Sequence, residues 1–148
     1  MERTPIHDKV DELSQGKNPY FIARLETCWV AVSDRPLIDG HCVIFADPVV
    51  FSVNDLDEST RMRYARDMCR VGDALLKVTG AYRINYETMS NVAQALHSHI
   101  YPRQLSEPDL QRRDRPSAAY KEKAFDFKSG QALIDHMKSE LVPFAFKP

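Results

Sequence analysis

Apolar residues recur along this chain in short runs whose spacing changes from segment to segment, and the spacing names the elements. Ile6, Val10 and Leu13 stand four and three apart in an otherwise charged segment, which predicts a small docking helix with one apolar face. Gly16, Asn18 and Pro19 break that pattern. Tyr20 to Leu25 and Thr27 to Ser33 are rich in aromatic and β-branched residues and predict two strands. Trp29, Val30, Ala31 and Val32 give the second the look of a central strand buried on both faces. A turn opens at Asp34, Arg35 and Pro36 and closes at Asp39 and Gly40, after which His41 to Ala46 resumes as an apolar strand ended by Asp47 and Pro48.

Asn54 to Asp57 then supplies the start signals of a long helix, with Asp57 as its N-cap and Gly80 as its C-terminal stop. Met62, Ala65, Met68, Cys69, Gly72, Leu75, Leu76 and Thr79 fall on one stripe at steps of three and four and are expected in the core, while Arg61, Arg63, Arg66, Asp67 and Lys77 lie outside it. Two further strands follow, Ala81 to Tyr86 and one through His97, separated by a polar loop holding Thr88, Ser90 and Asn91. Pro102, which has no ladder donor, marks the end of the second. Glu107 to Pro116 carries charge and proline without an apolar period and reads as a surface excursion whose Arg112, Arg113 and Arg115 make a solvated face. Ser129 is placed to cap a last helix with Leu133, Met137 and Leu141 at steps of four, limited by Pro143. This order predicts an α+β domain: a central, mostly antiparallel sheet backed by one long helix, with a C-terminal helix. A single domain spans 1–148, with its core over about 20–103 and a tail over 104–148.

A chain of 148 residues can bury a substantial core without staples or metals. Its formal net charge of −1 argues against bulk electrostatic binding of nucleic acid or of an anionic membrane, and leaves specific anion binding by a few groups open. Cys28, Cys42 and Cys69 are odd in number, lack a Cys-x-x-Cys spacing and sit among apolar residues, so they are expected as reduced core residues. No apolar run approaches the ~20 residues of a membrane span, and Met1 to Asn18 is charged rather than signal-like, which points to a cytoplasmic protein.

The candidate chemistry lies in Asn85 to Arg103. In an extended strand His97 and His99 point to one face, about 6 to 7 Å apart along the backbone, while Leu96, Ser98 and Ile100 point to the other. Three readings of the pair compete. One histidine can be a satisfied strand residue and the other an accident of the surface. A zinc site is a second reading, but it needs a third ligand, and His41 is the only one to name. In the third, a neutral imidazole attacks an electrophile while its neighbour and amide donors stabilise the developing charge, an arrangement suited to a phosphoryl centre.

The run Ala95-Leu96-His97-Ser98-His99-Ile100-Tyr101, followed by Pro102-Arg103, resembles the signature of the histidine-triad superfamily of nucleotidyl hydrolases and transferases, His-φ-His-φ-His-φ-φ with φ apolar. Pro36-x-x-x-Gly40-His41 matches an element between early strands, and Asn85 and the pair Ser90-Asn91 match positions upstream of the signature, so the likeness spans roughly Tyr20 to Arg103. The resemblance implies hydrolysis or transfer at the α-phosphate of a nucleoside phosphate ester, anhydride or phosphoramidate through a covalent nucleotidyl-histidine. His97 would be the nucleophile, His99 would contact the phosphate oxygens, and Asn91 would approach the scissile bridge. Ser33 and Asp34 fall where relatives hold the ribose, Asn85 lies near a phosphate-contacting position, and Arg103 could reach phosphate. His41 reads as a turn-fixing residue that bonds backbone. The implied partners are a nucleotide or dinucleoside polyphosphate substrate and a second copy in a homodimer, with no nucleic acid, membrane, cofactor or metal. Two positions depart from the signature: Ala95 replaces the first histidine, and Ser98 is polar where φ is expected. The alternative implied by Ala95 is a nucleotide-binding or regulatory module with weakened catalysis.

Overall fold

The Ile6 amide donates to Thr4 Oγ1, and the Thr4 amide donates to His7 Nδ1; this reciprocal cap starts helix α1, Pro5–Ser14. The computed structural model describes the whole of Met1–Pro148. Five strands follow in one sheet: β1 (Phe21–Arg24), β2 (Cys28–Val32), β3 (Cys42–Ala46), β4 (Arg83–Glu87) and β5 (His97–Arg103). Their order is β1-β2-β3-β5-β4, and every neighbouring pair is antiparallel. Helix α2, Glu58–Thr79, lies between β3 and β4 in sequence; Asp57 Oδ1 accepts from the Thr60 amide at its start, and Gly80 closes it in the left-handed conformation at φ 67°. Two short helices, α3 (Asp109–Arg113) and α4 (Pro116–Ala119), precede α5, Phe127–Leu141. The expected α+β architecture, with a sheet backed by one long helix and a C-terminal helix, is the one observed.

The sheet has two unlike faces, and the difference positions the site. Its back packs on α2 and α5 in the main core, through residues such as Val30, Ile44, Leu96, Ile100, Val71, Leu75, Ile134 and Met137. Its front is covered only in part, by Ile6, Val10 and Leu13 of α1 resting on Ala31, Val43, Phe45 and Ala95. The front of β5 beyond that contact stays open. Gly40, at φ 84°, brings the β2–β3 connection against β5 so closely that a Cβ there would lie 2.7 Å from Pro102 Cγ.

Several expectations need correction. The buried side of α2 is Tyr64, Asp67, Val71, Ala74 and Leu75, joined by Gly72, whereas Met62, Ala65, Cys69 and Leu76 are exposed and Met68 is half-buried. The true stripe is rotated from the apparent one because Asp67, fully buried, belongs to it: its Oδ2 accepts from the Thr27 amide at 3.0 Å and from the Thr27 hydroxyl at 2.9 Å. Cys28 and Cys42 are core residues and Cys69 is not. Trp29 is half-buried rather than enclosed, its indole N–H donating to Asp47 Oδ2. Asp126, not Ser129, caps α5; its Oδ1 accepts from the Lys128 amide, and Ser129 donates to Oδ2. Pro102 sits inside β5, paired with Ile84, and is tolerated there because β3 stops pairing at Ile100 and leaves that side without a ladder. No helix is long and apolar enough to cross a membrane.

Candidate functional site

Strand alternation sets His97, His99 and Tyr101 on the open front of β5 and turns Leu96, Ser98 and Ile100 to the core. The pairing register then decides their neighbours: Phe45 stands opposite His97, Val43 opposite His99, and Glu87 of β4 is across from His99 on the other side. The His97 and His99 rings meet edge to face with centroids 5.2 Å apart.

Hydrogen bonds fix where the protons of these rings lie. The Leu37 amide donates to His41 Nδ1 at 3.2 Å, so the proton of neutral His41 is on Nε2. That Nε2–H donates to His99 Nδ1 at 2.9 Å, which leaves His99 with its own proton on Nε2. Both rings are neutral near pH 7: burial, and then the neighbouring His99, lowers His41 to about 3, while burial, and then His97, lowers His99 to about 4. On His97 the Nδ1–H donates to the carbonyl oxygen of Ala95 at 2.8 Å, with Ser90 Oγ at 3.3 Å from the same nitrogen. In the neutral ring this bond leaves the lone pair on Nε2. The position lacking the first imidazole still orients the second through its backbone.

The reverse of β5 explains the polar Ser98. It is fully buried, yet its Oγ lies 2.9 Å from Tyr64 Oη of α2 and 2.6 Å from Thr88 Oγ1 of the β4–β5 loop. This chain of hydroxyls ties the loop to the histidine strand, and the left-handed Ser90, φ 56°, then turns its own hydroxyl toward His97. Asn91 follows, exposed and outside the cavity lining.

Above the histidines lies a cleft of about 590 Å³ whose lining includes His41, His97, His99, Tyr20, Phe45 and Ser33. Asp34 also lines it and receives Lys9 Nζ of α1 at 3.0 Å. One wall comes from the segment before α5, which hydrogen-bonds the Asp34–Pro36 loop: the Phe125 amide donates to the Asp34 carbonyl and the Lys123 amide to the Pro36 carbonyl. Ser117 and Glu122 of this segment reach the cleft, and Glu122 holds Arg35 at 2.9 Å. The wall is thus built by residues 117–125, just past the surface excursion Glu107–Pro116, which itself does not line the cleft.

Arg103 anchors the segment that leads into that wall, and Glu107, one of its partners, accepts from the Tyr120 hydroxyl within it. Arg103 is 2% exposed, and its guanidinium donates to Asn85 Oδ1 at 2.8 Å, to the carbonyls of Gln111 and Asp114, and to Glu107. Burial alone would push the Glu107 carboxyl up, but bonds from Arg103, the Gln104 amide and Tyr120 hold it below its ordinary value. The structure therefore brings His97, His99, Ser33 and Asp34 together, places Arg103 and Asn85 against each other beside the cleft, and leaves Asn91 at the surface. His41 does bond backbone, and it also bonds His99. Lys9, Glu87 and Ser90 join the site without having been assigned roles; only Ser90 had a sequence signal, through its pairing with Asn91. No three His, Cys, Asp or Glu side chains are grouped as a metal site would require.

An antiparallel sheet with one long helix at its back and an imidazole pair on its open face defines a class of α+β protein rather than a single one. No protein-family model matches the sequence, and no curated protein matches it either. Solved structures do. A histidine triad protein from Bradyrhizobium japonicum is 21% identical with a TM-score of 0.71, over 81% of this chain and 88% of that one. A hypothetical histidine triad nucleotide-binding protein from Sulfolobus tokodaii is 16% identical with a TM-score of 0.70, over 88% and 89%. The diadenosine triphosphate hydrolase of Plasmodium falciparum is 13% identical with a TM-score of 0.61, over 82% and 76%. The fold of this chain is the histidine-triad fold.

Proposed function

We propose that the protein is a nucleotide hydrolase or nucleotidyl transferase of the histidine-triad type. The observation that carries this is the proton arrangement: His97 Nε2 has a free lone pair while the adjacent His99 offers an N–H, both at the floor of one cleft. In the first step His97 Nε2 bonds to the α-phosphorus as the bond to the leaving group breaks; the leaving group departs with that electron pair and takes a proton from solvent. His99 Nε2–H stabilises the charge on the phosphoryl oxygens. Water then attacks the phosphorus, the N–P bond breaks, its pair returns to Nε2, and the water's proton passes to solvent. A transferase replaces that water with another acceptor. Ser33 and Asp34 hold the ribose, and Asn91, exposed next to cleft-lining Val92, would reach the leaving group only from the rim of the cleft. Asn85 and Arg103 act indirectly, by fixing the wall. No cofactor enters this reaction.

Fold relatives named for nucleotide binding and for diadenosine triphosphate hydrolysis support a nucleotide as the ligand. Mononucleotide release from a panel of dinucleoside polyphosphates and nucleoside phosphoramidates tests the reading. The native chain is expected to turn over at least one of them and His97→Ala none; turnover that survives in His97→Ala removes His97 as nucleophile. A second reading, a binding or regulatory module with weakened catalysis, is favoured by Ala95, which offers a buried methyl where the signature has an imidazole. Tight nucleotide binding without release selects it. The reading includes a homodimer, because β4 presents an unpaired sheet edge flanked by the exposed Tyr82 and Tyr86; the mass in solution checks this.

A further inference from the structure

We infer that Glu87 makes the site prefer substrates whose leaving group carries a positive charge. This rests on the hydrolase reading and narrows its substrate class. Directly opposed residues of an antiparallel pair share a face, so Glu87 projects beside His99 and into the cleft. The other charged side chains lining the cleft are neutralised in pairs, Lys9 with Asp34 at 3.0 Å and Arg35 with Glu122 at 2.9 Å. Glu87 is half-buried and joins none of the ion pairs or side-chain hydrogen bonds of the site. On its other side Glu87 lines a second hollow together with Arg115, with which it forms no ion pair.

The strand order gives this carboxylate its role. Ser33, Asp34 and α1 stand over β2 and β3, the reacting imidazoles are on β5, and Glu87 is on β4 beyond them. A nucleoside seated over β2 and β3 with its phosphate at His97 sends its leaving group across β4. There an ammonium is attracted to Glu87, and the further phosphates of a dinucleoside polyphosphate are repelled.

The test uses nucleoside 5′-phosphoramidates of adenosine and guanosine with one P–N linkage and three matched arms, derived from 1,3-diaminopropane, 3-aminopropanol and 4-aminobutyrate. The native chain is expected to show kcat/KM falling from ammonium to hydroxyl to carboxylate, by about tenfold per step, the scale of a charge pair in a half-solvated cleft. Glu87→Gln should flatten the series and Glu87→Lys invert it, a change of order that a structural role would not produce. A native series without that order, or one that persists in Glu87→Gln, overturns the inference while leaving the His97 reading intact. If the native chain turns over none of the compounds, the nucleophile reading falls, and the order of their affinities in native and Glu87→Gln protein judges Glu87 separately. If none binds, both are overturned.

Discussion

Two imidazoles of the cleft are held neutral near pH 7. His41 and His99 titrate at about 3 and about 4 in the fold, below the ordinary histidine value, because burial and a neighbouring ring disfavour the cation. The unfolded chain protonates them near pH 6.5, so between that value and about 4 the unfolded state binds more protons than the native one. Stability is therefore full above pH ~6.5 and falls as the solution is acidified, by up to ~1.4 kcal/mol per pH unit for each ring. Urea denaturation at pH 7, 6 and 5 should show that slope before the carboxylates begin to titrate, and His99→Gln should reduce it by about half. The alternation that puts His97 and His99 on one face was legible from His-x-His alone. The relay through His41 was not, because a bond between β3 and β5 depends on a register that only the folded sheet sets.

Among the elements, α1 gives the departure at Ala95 a physical reason. Ile6, Val10 and Leu13 close over Ala31, Val43, Phe45 and Ala95, and the Ala95 side chain is fully buried beneath them. An imidazole there has to displace the helix. Restoring the signature by Ala95→His is thus expected to destabilise the protein by about 1–3 kcal/mol through overpacking, and not to raise activity. Chemical denaturation and the mononucleotide-release assay, run together, check both halves of that expectation. The helices also show where periodicity misleads. The caps at Asp57 and Gly80 were readable because they are local chemistry. The buried side of α2 was not, because its one charged member, Asp67, is made tolerable by Thr27, forty positions earlier in sequence, together with Arg66 and Arg70 on the same helix. The strands were readable in order and type, since a sheet buried at the back and half-covered at the front leaves few alternatives to runs of apolar and β-branched residues.

For the whole molecule, the cleft is assembled from distant parts. Its floor is β5, one wall begins at Pro5 and Ile6, and another is the segment carrying Ser117 and Glu122. Arg103 fastens the Glu107–Asp114 stretch that leads into the second wall, and Tyr120 of that wall bonds Glu107, so Arg103→Ala should weaken substrate binding more than turnover: KM rises several-fold, and kcat stays within about twofold. Steady-state kinetics on a substrate found by the release assay separates that outcome from loss of the reaction itself. Composition offered no hint of this anchor, because Glu107 to Pro116 has the charge and proline content of a solvent loop, and a single buried guanidinium gives it its place.

Because Pro5 and Ile6 border the cleft on one side and Ser117 and Glu122 on another, synthesis adds the last wall after the floor. The sheet and its histidines emerge before the segment around Ser117 and Glu122, so a growing chain holds the reactive strand without a finished pocket. On the proposed function, the same layout would make a bound nucleotide a bridge between regions far apart in sequence. Ligand should slow amide exchange in α1 and in the 117–125 segment together, and mass-spectrometric hydrogen exchange with and without nucleotide reads the two responses in one experiment.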